Sequence, residues 1–170
     1  MKQIFDRYSL RSYQDRPVEK DKIDRLIKAG FQAPSAHNQQ AWEVVVIRDK
    51  DTLHRLSDVS KYFICLQQSP LAIVTLANKS DLVTPEFWQQ DLAALSQNIL
   101  LEAVHLELGG VWLGVAPRRE RMAHVADILG LPETIMPFSI LSIGYPKKPR
   151  SGRERSYEHK IFFETYGKEG

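Results

Sequence analysis

Between Phe87 and Leu108 the chain reads FWQQDLAALSQNILLEAVHLEL, a helical pattern that is apolar over more than one stripe. Leu92, Leu95, Ile99, Ala103 and Leu106 fall on one side, with Ala93, Leu100 and Val104 beside them. A helix apolar over that much of its circumference is buried on more than one side. It suits a helix packed on its own sheet and on a second subunit.

The flanking segments supply the sheet. WEVVVI at 42–47 and LAIVTLA at 71–77 are short, β-branched and apolar, as strands buried on one or both faces are. VWLGVA at 111–116 and FSILSIG at 138–144 read as two more strands. Ile23, Leu26, Ile27 and Phe31 recur at helical spacing within 18–33, and RRERMAHVADILG at 118–130 is a helix with a glycine stop and Pro132 beyond it. The order helix, strand, strand, helix, strand, helix, strand predicts a mixed α and β domain with a sheet of about four strands. The expected organisation is one domain, 1–170, with 145–170 as a C-terminal arm too apolar at Ile161 to Phe163 to remain undocked.

Composition removes several function classes. A formal charge of +2 argues against a dedicated nucleic-acid binder, which carries a broad basic face. No stretch reaches about 18 uncharged apolar residues, so no membrane span is expected. Cys65 is the only cysteine, so no intrachain disulfide can form, and a reducing, cytoplasmic setting is the default expectation. Its apolar surroundings in FICLQQSP favour an inert buried thiol. The five histidines form no two-His helical pair, which makes a metal centre unexpected. GGVWLG has neither the dinucleotide-fold spacing nor a phosphate-loop Lys-Ser/Thr.

The segment RYSLRSYQDRPV, residues 7–18, alternates in character. If extended, it puts Arg7, Ser9 and Arg11 on one face and Tyr8 and Leu10 on the other. Two guanidinium forks and a hydroxyl suit a phosphate dianion. Solvated surface arginines are the plainer alternative, and the segment alone leaves both open. APSAHNQQAW, 33–42, is a loop of Pro, Ser and amide side chains, which favour turns with or without a function.

Taken together, RYSLR, APSAHNQQAW, PLAIVTLA, DLAALSQNILLEAVHLELGGVWLGVAP, ILGLPETIMPFSILSIGYP and the closing basic segment resemble the nitroreductase family of flavin mononucleotide (FMN) enzymes in order and spacing. Its members read like R-R-S-x-R near the start and then A-P-S-x-x-N-x-Q-P-W. Here Tyr8 stands where a second arginine is common, Ala41 replaces the usual proline, and Tyr166 falls near a position that is often tryptophan.

The resemblance implies an α+β nitroreductase-like fold: a central, mostly antiparallel sheet of about four to five strands flanked by helices, with the arm exchanged in a homodimer of shared sites. It implies that Arg7, Ser9 and Arg11 hold the FMN phosphate and the neighbouring ring edge, with Arg155 at the phosphate and Arg153 close by. Pro34, Ser35 and Asn38 would reach from the partner subunit to cover the ring, and Gly114 would be a close-approach glycine along it, although an ordinary strand end accounts for Gly114 as well. The implied activity is hydride transfer from NAD(P)H to a nitroaromatic, quinone or related small oxidised acceptor by a ping-pong mechanism. The flavin N5 carries the hydride, so no side chain is named as catalytic and no metal is called for. Two alternatives stay open: a flavoprotein of the same fold acting on a specific metabolite, of dehalogenase or dehydrogenase type, and a non-catalytic module that binds a phosphorylated ligand.

Overall fold

The computed structural model describes residues 2–148, 152, 153 and 155–168. Among them, five α-helices and four strands follow in the order α1 (Lys2–Asp6), α2 (Lys20–Gly30), β1 (Trp42–Ile47), α3 (Lys50–Ser57), β2 (Leu71–Asn78), α4 (Trp88–His105), β3 (Gly109–Gly114), α5 (Arg119–Leu129) and β4 (Ile135–Gly144). The sheet order is β1-β2-β4-β3 with every neighbouring pair antiparallel, so the fold is α+β with β3 on one edge.

Strand β2 shows why the sequence of this sheet does not alternate. Leu71, Ile73 and Ala77 belong to one core with Leu26, Leu95 and Ile99. Ala72, Val74 and Leu76 belong to a second core with Leu53, Leu56 and Val125. Helices α2 and α4 therefore cover one face and α3 and α5 the other, and both sets of β2 side chains are apolar because neither face meets water. Helix α4 buries Leu92, Leu95, Ile99, Leu100 and Ala103. Each of these leucine and isoleucine side chains contributes about 1.5–3 kcal/mol of transfer free energy.

Several boundaries differ from those read in the sequence, for local reasons. Strand β3 begins at Gly109, two residues early, because the glycines pair in the ladder. A Cβ on Gly110 would lie 2.8 Å from the Ser142 carbonyl oxygen, an approach only glycine permits. The strand ends at Gly114, after which the amides of Val115 and Ala116 both donate to the Phe138 carbonyl. Strand β4 starts at Ile135 and carries Pro137 at a register shift opposite Thr75/Leu76, where a missing N–H is tolerated. Gly130 takes φ 63 as the left-handed cap of α5, as the glycine stop requires. Helices α1 and α3 are additions. Asp49 caps α3 by accepting from the Thr52 amide, but only Leu53 and Leu56 give this short charged helix an apolar stripe. Among the described residues, no helix is long and apolar enough to cross a membrane, and none after Gly144 belongs to a helix or strand.

Candidate functional site

The segment after α1 runs along the exposed edge of β3. Its Leu10 amide donates to the Gly110 carbonyl at 3.1 Å, Ser9 bridges Gly110 in parallel sense, and Tyr13 bridges Pro146 in antiparallel sense. Leu10 and Tyr13 are buried, whereas Ser9, Arg11 and Ser12 are exposed. The anchor is the Tyr13 hydroxyl. It lies 2.9 Å from the Leu10 carbonyl, 3.1 Å from the Ser142 carbonyl and 2.7 Å from Ser142 Oγ, which in turn donates to Ser69 Oγ. Burial pushes the Tyr13 phenol well above its ordinary range and raises the Cys65 thiol beside it, so both stay neutral.

Above this anchor opens a cleft of about 440 Å³ lined by Tyr8, Ser9, Leu10, Arg11, Ser12, Lys147 and Lys148. Among the described residues Arg11 hydrogen-bonds the Ser9 carbonyl, at 3.5 Å, which leaves most of its five donors for a ligand. Tyr8 packs against the same core as Leu10 while its hydroxyl reaches the Lys148 carbonyl at 3.5 Å. Lys147 is held beside the segment by its amide, which donates to the Ser12 carbonyl at 3.2 Å. Three cations and two serine hydroxyls thus face one opening, a donor set suited to a phosphate dianion. Lys147 and Lys148 were not singled out from the sequence, since only the Tyr13 to Pro146 bridge brings them opposite Arg11.

The other expected site residues are distributed as follows. Arg7 is half-buried just after α1, its amide bonded to the Gln3 carbonyl, and it does not line the cleft. Arg153 and Arg155 are exposed on the arm. The arm passes α1 at Gly152, where a Cβ would collide with the Phe5 carbonyl oxygen, and Arg153 is the next residue. Gly114 closes β3, its carbonyl accepting from Arg121 Nη1 at 2.8 Å. A Cβ added there would meet nothing within 4 Å, and its φ is not positive, so nothing among the described residues demands a glycine. Gly114 lies four residues along β3 from Gly110, about 13 Å at strand rise.

Pro34, Ser35 and Asn38 sit apart from the cleft lining, on a loop braced at the start of α4. His37, Asn38 and Gln40 take φ of 49, 53 and 45, a left-handed conformation that costs non-glycine residues roughly 1–2 kcal/mol each. It is over-determined by side-chain bonds. Ser35 Oγ accepts from the Gln40 amide at 3.0 Å, Asn38 Oδ1 accepts from Gln40 Nε2 at 2.8 Å, and the buried Asp91 accepts from the Ala36 amide at 2.9 Å. Such strain, held by surrounding structure, is typical of functional loops.

Comparison with known proteins agrees with this architecture. A sequence model described as the nitroreductase family matches residues 4–64 and 61–145. A protein of Archaeoglobus fulgidus, provisionally named an NADH dehydrogenase/NAD(P)H nitroreductase, is 42% identical over 148 residues, covering 86% of this chain and 85% of that one. The crystal structure of a Clostridium acetobutylicum protein, provisionally named an NADH oxidase, superposes with a TM-score of 0.94 at 43% identity, over 96% of this chain and 99% of the other. A Desulfovibrio desulfuricans protein, provisionally a nitroreductase and crystallised in complex with FMN, superposes at 0.83 with 27% identity, over 96% and 95% of the two chains.

Proposed function

The chain belongs to the nitroreductase family, and from that premise we propose that it is an FMN-dependent oxidoreductase, a homodimer with shared sites, that reduces nitroaromatic, quinone or related acceptors with NAD(P)H. The observation that carries the proposal is the cationic, hydroxyl-lined cleft of Ser9, Arg11, Lys147 and Lys148 on the same strand edge as Gly114. A phosphate at the cleft and a ring near Gly114 would lie about 13 Å apart along β3, with open space above Gly114 for a flat group. When bound, FMN would supply the two-electron chemistry between NAD(P)H and the acceptor, as a ping-pong reaction requires.

The chain's own work is binding and orientation. Ser9, Arg11, Lys147 and Lys148 would hold the phosphate by charge-assisted bonds, while Arg7, Arg153 and Arg155 add cations where the arm passes α1. Pro34, Ser35 and Asn38, held away from the cleft in their own chain, would cover the ring of the partner's cofactor. The arm's apolar side chains give that dimer a reason to form. Tyr157, Ile161, Phe163 and Tyr166 are exposed, and a second copy would bury them. Arg121, bonded to the Gly114 carbonyl, fixes the strand end beside the ring.

The purified protein should be yellow, hold FMN, run as a dimer, and bleach anaerobically on adding NADH or NADPH. A correctly folded, colourless protein that takes up no added FMN would refute the proposal.

A further inference from the structure

The loop proposed to cover the flavin is joined to a second segment by one side chain. Gln39 extends from the loop with both ends of its amide engaged. Its Nε2 donates to Asp91 Oδ2 at 2.5 Å, and its Oε1 accepts from the amides of Val83 and Thr84, each at 2.9 Å, and from Thr84 Oγ1 at 3.3 Å. Asp91, on the first turn of α4, is buried, and its other oxygen holds the Ala36 amide. Residues 39 and 91 are 52 positions apart in sequence, and Gln39 occupies one of the unspecified positions of the A-P-S-x-x-N-x-Q-P-W pattern. The segment it reaches displays exposed apolar side chains, Val83 at 70% and Phe87 at 43%.

We propose that Gln39 and Asp91 are positioning residues that lock the 34–40 loop to the 82–84 segment, so that the ring cover and the apolar rim that meets the acceptor keep one shared arrangement. The inference rests on the flavin reading above. Its chemical basis is the polarity of the chain of bonds. The carboxylate only accepts, so the Gln39 amide must point its nitrogen at Asp91 and its oxygen at Val83 and Thr84. One oriented amide thereby holds both segments, and neither can shift without leaving the buried Asp91 carboxylate or the half-buried Gln39 oxygen short of a partner.

That polarity gives a reversal test. In Asp91→Asn the introduced amide nitrogen faces the Gln39 nitrogen, and flipping Gln39 would put its nitrogen against the Val83 and Thr84 donors. In Gln39→Glu two carboxylates meet. In the double variant Gln39→Glu/Asp91→Asn the asparagine oxygen keeps the Ala36 amide, its nitrogen donates to the new carboxylate, and that carboxylate accepts from Val83 and Thr84. All bonds return.

The readouts are the KM for 1,4-benzoquinone with NADH as donor, the visible absorbance bands of bound FMN, and hydrogen–deuterium exchange of amides 35–40 and 82–84 without added flavin. Each single variant should raise the quinone KM on the order of tenfold, as expected for one lost charge-assisted bond. Each should also shift the flavin bands and speed exchange in both segments together. The double variant should return all three to near wild type. Singles that match wild type, or a double no better than the singles, would overturn the pairing. If exchange follows this pattern but wild type takes up no FMN, the locking stands and the flavin role falls.

Discussion

Tyr13→Phe removes one hydroxyl and keeps the ring. A phenol has one proton to give, and Ser142 Oγ gives its own to Ser69 Oγ, so the Tyr13 hydroxyl donates to the Leu10 carbonyl or to Ser142. The residue is 4% exposed, and no solvent replaces the lost partner. Ser142 Oγ keeps Ser69, but the Leu10 carbonyl loses its side-chain donor. One lost hydrogen bond plus one stranded buried acceptor costs about 2 kcal/mol, or roughly 4–8 °C in Tm for a chain of this size. Urea unfolding at fixed protein concentration should show a lower midpoint at unchanged slope. A pH series adds an independent check. The folded phenol has a raised pKa, so its contribution is complete below the free tyrosine value of about 10 and declines as pH rises beyond it. The wild type should lose stability above about pH 10 more steeply than the variant. An unfolding free energy within about 0.5 kcal/mol of wild type, or identical alkaline limbs, would refute the anchoring role.

Three other outcomes follow from the same geometry. Arg11→Ala should weaken FMN binding by about tenfold to a hundredfold, the value of one charge-assisted partner at about 1.5–3 kcal/mol, and unchanged affinity in a fluorescence titration would contradict it. Gly114→Ala should leave unfolding within about 0.5 kcal/mol of wild type, because an added Cβ meets nothing within 4 Å, yet it should weaken FMN binding; normal cofactor affinity would remove Gly114 from the site. The Tyr145 hydroxyl, donating at 2.6 Å, is the largest cause holding the Glu19 carboxyl down at about 2, with Arg16 adding to it. That stability is present above the free carboxyl value of about 4.3 and is lost as pH falls from there towards 2, so Tyr145→Phe should flatten the acid limb of Tm against pH; an unchanged limb would refute it.

Elements whose patterns answer to burial were legible in the sequence. The unbroken apolar run of β2 announces two-sided packing and has it, and the broad apolar surface of α4 joins one core with α2 and the sheet. Helix α3 was not legible, because a stripe of two leucines is too weak a period even with Asp49 as a cap. Gly109 and Gly110 fall outside the strand read at 111–116, since strand propensity opposes glycine and the close approach of Ser142 and Leu10 explains them. In the site, alternation brought out Ser9 and Arg11, which line the cleft, and Arg7, which does not. Lys147 and Lys148 depend on a bridge across 13 and 146, and the Gln39 to Asp91 contact on a loop folding against a helix 52 residues away. Long-range pairings of that kind leave no local period to read.

Binding of FMN and of riboflavin to the cofactor-free protein, titrated side by side at low and high salt, tests the phosphate anchor most directly, because the two ligands differ only by the dianion. FMN should bind on the order of a hundredfold tighter, with the difference shrinking as salt screens the cleft. Equal affinities, or a preference for FMN that ignores salt, would contradict the assignment of the cleft.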